Sequence, residues 1–295
     1  MFIVKHRKIF LSISAFLIAI SLVSIFSFGL NPGSDFKGGT VYEVEFSGPR
    51  PDLIKLRASL DQLGLGQIST QFVGEQGLLL KTKTIDQAQK QLIADQLNQQ
   101  VGSFVEKRFS SIGPAVGQEL MRRGLMAIGL VMLVVILFIS LAFNKVSHII
   151  SSWKYGVVTI FALLHDIIIP SGVAAYLGRY YGFEADALFL TALLTIMALS
   201  VNDTIVIFDR IRENVKSRLG HTFEETVGIS LNQSFIRSIN TSLTIILTLV
   251  ALYFFGADST RNFAMIMAIG IFFGTYSSIF VASPLLVMWE KSKRG

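Results

Sequence analysis

The sequence predicts a membrane all-α bundle of six transmembrane helices, with one exported α+β domain of ferredoxin-like order between the first and second spans. Three observations predict it. Six apolar runs each approach the roughly 20 residues that cross a bilayer. A single long polar stretch, residues 31–121, separates the first run from the other five. Hydrophobic residues make up 52% of the 295-residue chain and charged residues only 16%, with Phe occurring 24 times, whereas a soluble domain carries about a quarter charged residues.

The first run is Ile9 to Phe28, preceded by Lys5, His6, Arg7 and Lys8. It exceeds the roughly 7–15 residues of a signal-peptide core, and no A-x-A cleavage pattern follows it. It therefore predicts an uncleaved helix over 9–29. The remaining spans are expected at 124–143, 154–177, 186–208, 238–256 and 263–289. Pro170 inside the third removes a helical hydrogen bond and predicts a kink; Pro284 lies late in the sixth. With a cytoplasmic N-terminus, the inner flanks hold Lys5, Arg7, Lys8, Lys145, Lys154, Arg210, Arg212, Lys216, Arg218, Arg237, Lys291, Lys293 and Arg294. The short outer loops hold only Arg179 and Arg261. That bias predicts that both termini are cytoplasmic. The net charge of +6 follows from these flanks rather than from one basic patch, so it does not point to nucleic acid. The absence of cysteine excludes a disulfide framework, a Cys-based metal site and a Cys nucleophile.

Residues 1–30 are thus the cytoplasmic N-terminus with the first helix, 31–121 the exported domain, and 122–295 the other five helices. Within the exported segment, Val41 to Phe46 alternates as a strand and Asp52 to Leu63 has helical spacing. Gln67 to Val73 and Leu78 to Lys83 read as two strands turning at Gly74 and Gly77. Asp86 to Val101 reads as a helix and Phe104 to Phe109 as a last strand. This β-α-β-β-α-β order is the ferredoxin-like split. Between the fourth and fifth spans, residues 210–235 are amphipathic, and Thr222 with Glu225 fits a capping box. One helix along the cytoplasmic face is expected there.

Ionisable groups inside a span cost about 2.5–3.5 kcal/mol on insertion scales and are functional candidates by default. The third span offers His165 and Asp166. The fourth offers Ser200, Asn202, Asp203 and Thr204. The fifth opens on Arg237 and continues through Thr241. Asp203 lies six residues before Asp209, roughly 9 Å inside the boundary at 1.5 Å per residue, and Arg237 at the start of the fifth helix can reach it. An Asp–Arg pair keeps both groups charged at low dielectric, with Ser200 and Thr241 placed to complete its hydrogen bonds. The pair reads either as a static lock between two helices or as a carboxylate whose protonation is coupled to movement. His165 and Asp166 read either as a relay or as a polar contact to another helix. No further His or carboxylate is placed to make a metal site. There is no G-x-S-x-G, H-E-x-x-H or Walker A motif, so no enzyme and no cofactor are expected. Gly33, Gly38 and Gly39 follow a transmembrane helix rather than a strand, which excludes a phosphate loop.

Four segments carry a family resemblance. They are Gly33-Ser34-Asp35-Phe36-Lys37-Gly38-Gly39, Leu164-His165-Asp166, the run Ser200-Val201-Asn202-Asp203-Thr204 continuing to Asn214, and Arg237-Ser238-Ile239-Asn240-Thr241-Ser242. Together the chain resembles the SecF family of protein-export subunits, within the resistance-nodulation-division superfamily. The resemblance implies a bacterial inner-membrane protein that works with a SecD-like subunit and the SecYEG channel. It would use protons to help draw an unfolded exported polypeptide outward. It implies that Asp203 and Arg237 take part in proton transport and that Asp35, Phe36, Gly38 and Gly39 lead into the exported domain. The chain departs from the family in having Ala198-Leu199 where Gly-Tyr is common and Ser34 where an aliphatic residue is common. A lipid or small-molecule exporter of the same superfamily is the alternative. An intramembrane aspartyl protease built on Asp166 and Asp203 is disfavoured because Asp203 does not sit in a G-x-G-D segment. A structural assembly factor is the remaining option.

Overall fold

The computed structural model describes residues 2–66, 68–143 and 151–291; Gln67, Lys145, Lys293 and Arg294, invoked above, lie outside the described residues. The chain divides into two compact units. One joins Met1–Asn31 to Met126–Gly295, and the other is Pro32–Leu125.

A short helix α1 (Phe2–Lys5) leads into the first span, α2 (Arg7–Phe28), after which the chain enters the smaller unit. There α3 (Ser34–Lys37) precedes β1 (Gly39–Phe46), α4 (Leu53–Asp61), β2 (Ser69–Val73), β3 (Gly77–Thr82), α5 (Gln87–Val101) and β4 (Phe104–Ile112). The sheet is antiparallel throughout, in the order β2-β3-β1-β4, and Tyr42 pairs with Leu80 on one side and Phe109 on the other. The period-2 alternation of β1 buries Tyr42, Val44 and Phe46 in one core with Leu56 and Leu60 of α4 and Ile93 and Leu97 of α5. Both helices start on side-chain caps. Asp52 accepts from the Ile54 amide at 2.9 Å, and Asp86 with Gln89 closes a full capping box. Each stabilises its helix by about 1 kcal/mol.

The next helix, α6 (Pro114–Ala142), begins ten residues before the span expected at 124. Pro114 explains the early start, because its fixed φ and missing N–H suit a first helical position. The larger unit continues with α7 (Ser152–Tyr181), α8 (Ala187–Lys216), α9 (Phe223–Phe255) and α10 (Asp258–Ser277). A π-helical turn (Ser278–Ala282) then leads into α11 (Ser283–Lys291). Six helical segments are long and apolar enough to cross a membrane. Of these, α7 and the α10–α11 rod are the most buried, while α2, α6 and α9 leave most of their apolar surface open. Pro170 lies inside an unbroken α7. Pro284, which has no N–H for the carbonyl four residues back, comes one residue after the wide π turn.

One expectation is corrected. Residues 210–235 are not a single surface helix. Instead α8 runs on to Lys216 and α9 starts at Phe223, with a turn between them. Each half is amphipathic because each packs its own apolar side, Ile211 and Val215 or Val227 and Leu231, into the bundle core. Arg218 and Gly220, both at positive φ, break the chain direction. Thr222 caps α9 by accepting from the Glu225 amide at 3.2 Å, and Asn214 clamps the hairpin through Ser230 and Gln233. Two ion pairs gather helix ends at one end of the bundle. Arg7 meets Glu224 at 2.6 Å, and the buried Lys154 meets Glu290 at 2.9 Å.

Candidate functional site in the bundle interior

Two polar groups occupy the middle of the bundle, and α8 carries residues of both. The first is centred on α7. His165 and Asp166 are each fully buried, and the imidazole Nδ1 lies 2.9 Å from the Asp166 Oδ1. The other carboxylate oxygen accepts from Ser200 of α8 and, at 2.9 Å, from Ser277 of α10. One turn along α8, Thr204 meets Ser278 at 2.8 Å. Helices come this close because α10 presents glycine to α8. A Cβ on Gly270 would lie 2.1 Å from Ile196, and one on Gly274 would lie 3.2 Å from Ser200. This Gly-x-x-x-Gly spacing is a close-approach device of membrane helices. The same spacing, Gly270 and Gly274, is visible in the sequence as a signal for α8–α10 packing.

The second group surrounds Asp203. Its side chain is partly buried and lines a small cavity of about 30 Å³, shared with Ser200, Asn202, Thr241, Ser242 and Thr275. That volume is large enough for one water molecule. The hydroxyls of Ser238 and Thr275 face the carboxylate, and the Ser238 hydroxyl is buried without a closed hydrogen bond. Thr275 also meets Ser242 and the Ile271 carbonyl. Arg237 acts on Asp203 through space from an exposed position on α9 and is not its bonded partner.

The structure thus brings Asp203 and Arg237 near each other, as the spacing suggested, but with two differences in detail. Ser200 donates to Asp166 rather than to Asp203. Thr241 donates to the Arg237 backbone carbonyl at 3.0 Å rather than to the ion pair. On a helix, a Thr hydroxyl has its own turn's carbonyl always within reach, which the side-chain spacing alone conceals. Ser238 and Ser242, which belong to the segment opening the fifth span but were given no role there, complete the two groups together with Thr275 and Ser277, which no sequence signal marked. Among the described residues, no three His, Asp or Glu side chains converge as metal ligands.

The glycine segment has a separate, local role in the smaller unit. Gly33 caps α3, and Asp35 and Phe36 are buried. Gly38 and Gly39 adopt positive φ, and a Cβ on Gly38 would lie 2.7 Å from the Pro114 backbone. Gly117 likewise lets α6 approach the Phe36 carbonyl, 2.7 Å from where a Cβ would be. The motif is a place where backbone packs on backbone.

Comparison with known proteins adds the following. Residues 93–292 match the family described as protein export membrane protein SecD/SecF, C-terminal, and residues 23–49 match the SecD/SecF GG motif. A protein translocase subunit SecF of Thermobaculum terrenum is 42% identical over 98% of this chain and 93% of its own length. The protein translocase subunit SecDF of Thermus thermophilus is 32% identical over 95% of this chain but only 37% of its own. The crystal structure of SecDF from Thermus superposes with a TM-score of 0.81 at 31% identity. It covers 98% of this chain, which spans 38% of the SecDF chain. A SecDF crystal structure in a super-membrane-facing form gives a TM-score of 0.67.

Proposed function

This chain belongs to the SecD/SecF family of protein export membrane proteins, as a SecF-type subunit of Sec protein export, and we propose that it couples proton movement at Asp203 to the late steps of translocation. The partner in this reading is a SecD-like subunit, the counterpart of the remaining length of the SecDF relative. The pair works beside the SecYEG channel in a bacterial inner membrane, with both termini cytoplasmic. The smaller unit, whose strand order we read as ferredoxin-like, is exported. The free edges of β2 and β4 suit an extended, unfolded polypeptide, which can add as a strand.

The observation that carries the reading is the setting of Asp203. It is a carboxylate within an apolar helix, beside a water-sized cavity, faced by hydroxyls rather than by a locked cation. A hydroxyl can donate to a carboxylate or accept from a carboxylic acid, so Ser238 and Thr275 suit both protonation states. Arg237 is near enough to favour the charged state and free to change its distance. A change in that distance changes proton affinity. One charge crossing 100 mV is worth about 2.3 kcal/mol, so a few protons are enough to drive a helix rearrangement. In this reading, protonation of Asp203 loosens its attraction to Arg237 and lets α8 and α9 shift, which re-aims the exported unit.

The test is proton uptake into proteoliposomes holding this chain and its SecD-like partner, followed with an internal pH dye. Asp203→Asn and Arg237→Leu are expected to reduce uptake to the level of empty liposomes. Uptake equal to the parent in Asp203→Asn removes Asp203 from the proton path.

A further inference from the structure

Asp166 accepts hydrogen bonds from three side chains of three different positions: His165, Ser200 and Ser277. The carboxylate is fully buried. Of the three donors, Ser277 has a second acceptor already in place, the Gly274 carbonyl at 2.9 Å. Ser200 has a second face open to it, because it also lines the cavity next to Asp203. A hydroxyl carries one hydrogen, so Ser200 can serve only one of the two carboxylates as donor.

We propose that Asp166 binds and releases a proton of its own and that the Ser200 hydroxyl ties its charge state to that of Asp203. This inference rests on the reading of Asp203 as a proton-carrying group. The exchange balances with one proton and no other bond. When Asp166 is ionised, Ser200 and Ser277 both donate to Oδ2. When a proton arrives on Oδ2, that O–H donates to the Ser200 oxygen. The Ser200 hydrogen then turns to the cavity and Asp203, and Ser277 turns to the Gly274 carbonyl. The charge on Asp166 therefore withdraws a donor from Asp203, and its neutralisation returns one. The two carboxylates titrate as a coupled pair that favours one proton between them.

The surrounding groups are consistent with a carboxylate-centred site. His165 places Nδ1 at Asp166, while its Nε2 is buried with no hydrogen-bond partner. Its ring stacks on Tyr276, whose hydroxyl is held by the Phe10 carbonyl at 3.1 Å. Of the titratable or charged groups on the helices packed around the site, those nearest it are Asp203 on α8, Arg237 on α9 and Tyr276 on α10; the others, such as Asp209, Glu224 and Asp258, lie toward the helix ends. On α2, Ser14 faces Tyr276, and Arg7 is committed to Glu224. Ser277 is the last residue before the π turn, a local widening that recurs at functional sites. The switch of its hydrogen thus occurs where α10 is least regular.

The test is infrared difference spectroscopy of the full-length protein with its SecD-like partner in lipid nanodiscs. The C=O stretch of protonated carboxylic acids is followed across a pH titration. Asp203→Asn is expected to remove one acid band and Asp166→Asn a second. Ser200→Ala should keep both while moving at least one midpoint by roughly tenfold in proton affinity, the size of one hydrogen bond to a charged group. If Asp203→Asn removes a band and Asp166→Asn leaves the parent titration unchanged, the inference is overturned and the role of Asp203 stands. If Asp203→Asn removes none, the underlying reading fails instead. Where Asp166→Asn does not accumulate in the membrane, Ser200→Ala and Ser277→Ala decide. Unmoved midpoints in Ser200→Ala overturn the inference whatever Ser277→Ala does, and shifts in both support it.

Discussion

The hydroxyl of Ser200, one helical turn before Asp203, is donated to Asp166 on the neighbouring helix α7. That single bond makes α8 the common wall of two polar groups. On one side are Asp166, His165 and Ser277; on the other are Asp203, Thr275 and Ser238, with Arg237 beyond. A change of charge on either side is therefore felt by the turn of α8 that carries both Ser200 and Asp203.

Lys154 and Glu290 form the most buried ion pair among the described residues that does not involve histidine, with side chains 2% and 12% exposed. Removing the ammonium alone takes its buried cation away from the Glu290 carboxylate, at a cost of up to about 3 kcal/mol. Lys154→Met is expected to lower the thermal midpoint in detergent markedly. The double substitution Lys154→Met with Glu290→Leu is expected to recover most of that loss. A double variant no more stable than the single would mean that the pair is not the source of the effect.

Tyr42 gives the smaller unit an alkaline limit. Burial, and secondarily the charge of Glu106, pushes its hydroxyl from 10.0 up to about 12. The folded state thus prefers the neutral phenol, and the unfolded state ionises first. The contribution is fully present below pH 10 and is lost as pH rises toward about 12. Tyr42→Phe should flatten this part of the stability curve, measured by chemical denaturation at pH 9, 10, 11 and 12. Equal alkaline slopes in the two proteins would contradict the assignment.

Much of this architecture was legible from the sequence because its signals are long. Apolar runs set the six spans, and period-2 alternation in Val41 to Phe46 set the first strand. Fewer of the contacts inside the site were legible. The ends of α8 and α9 were hidden because a helix that extends beyond the membrane and packs on its neighbour is as amphipathic as one that lies on a surface. Asp203 and Arg237 stood out as costly charges in apolar surroundings. Ser238, Thr275 and Ser277 did not, since a serine or threonine in a span can always bond its own helix, and only the packing of α8 on α10 shows which hydroxyls turn elsewhere.

The orientation has a direct check. The chain lacks cysteine, and Ser69 on β2 is exposed, so Ser69→Cys introduces a single accessible thiol. A membrane-impermeant maleimide is expected to label it from outside in intact cells with a permeabilised outer envelope. Ser217→Cys, in the turn between α8 and α9, is expected to react only after the inner membrane is opened. The reverse pattern would invert the proposed topology.

The central claim is that Asp203 is the group through which the proton gradient acts on export. It is tested most directly by preprotein translocation into inverted membrane vesicles, with and without an uncoupler, comparing the parent with Asp203→Asn at matched levels of this chain and its SecD-like partner. Asparagine keeps the shape and the hydrogen-bonding capacity but fixes the neutral state. The account predicts that parent vesicles lose the gradient-dependent share of export when the uncoupler is added. Asp203→Asn vesicles should show only the ATP-driven share, unchanged by the uncoupler. An Asp203→Asn vesicle that responds to the uncoupler as the parent does would show that Asp203 is a packing residue and that the proton acts elsewhere.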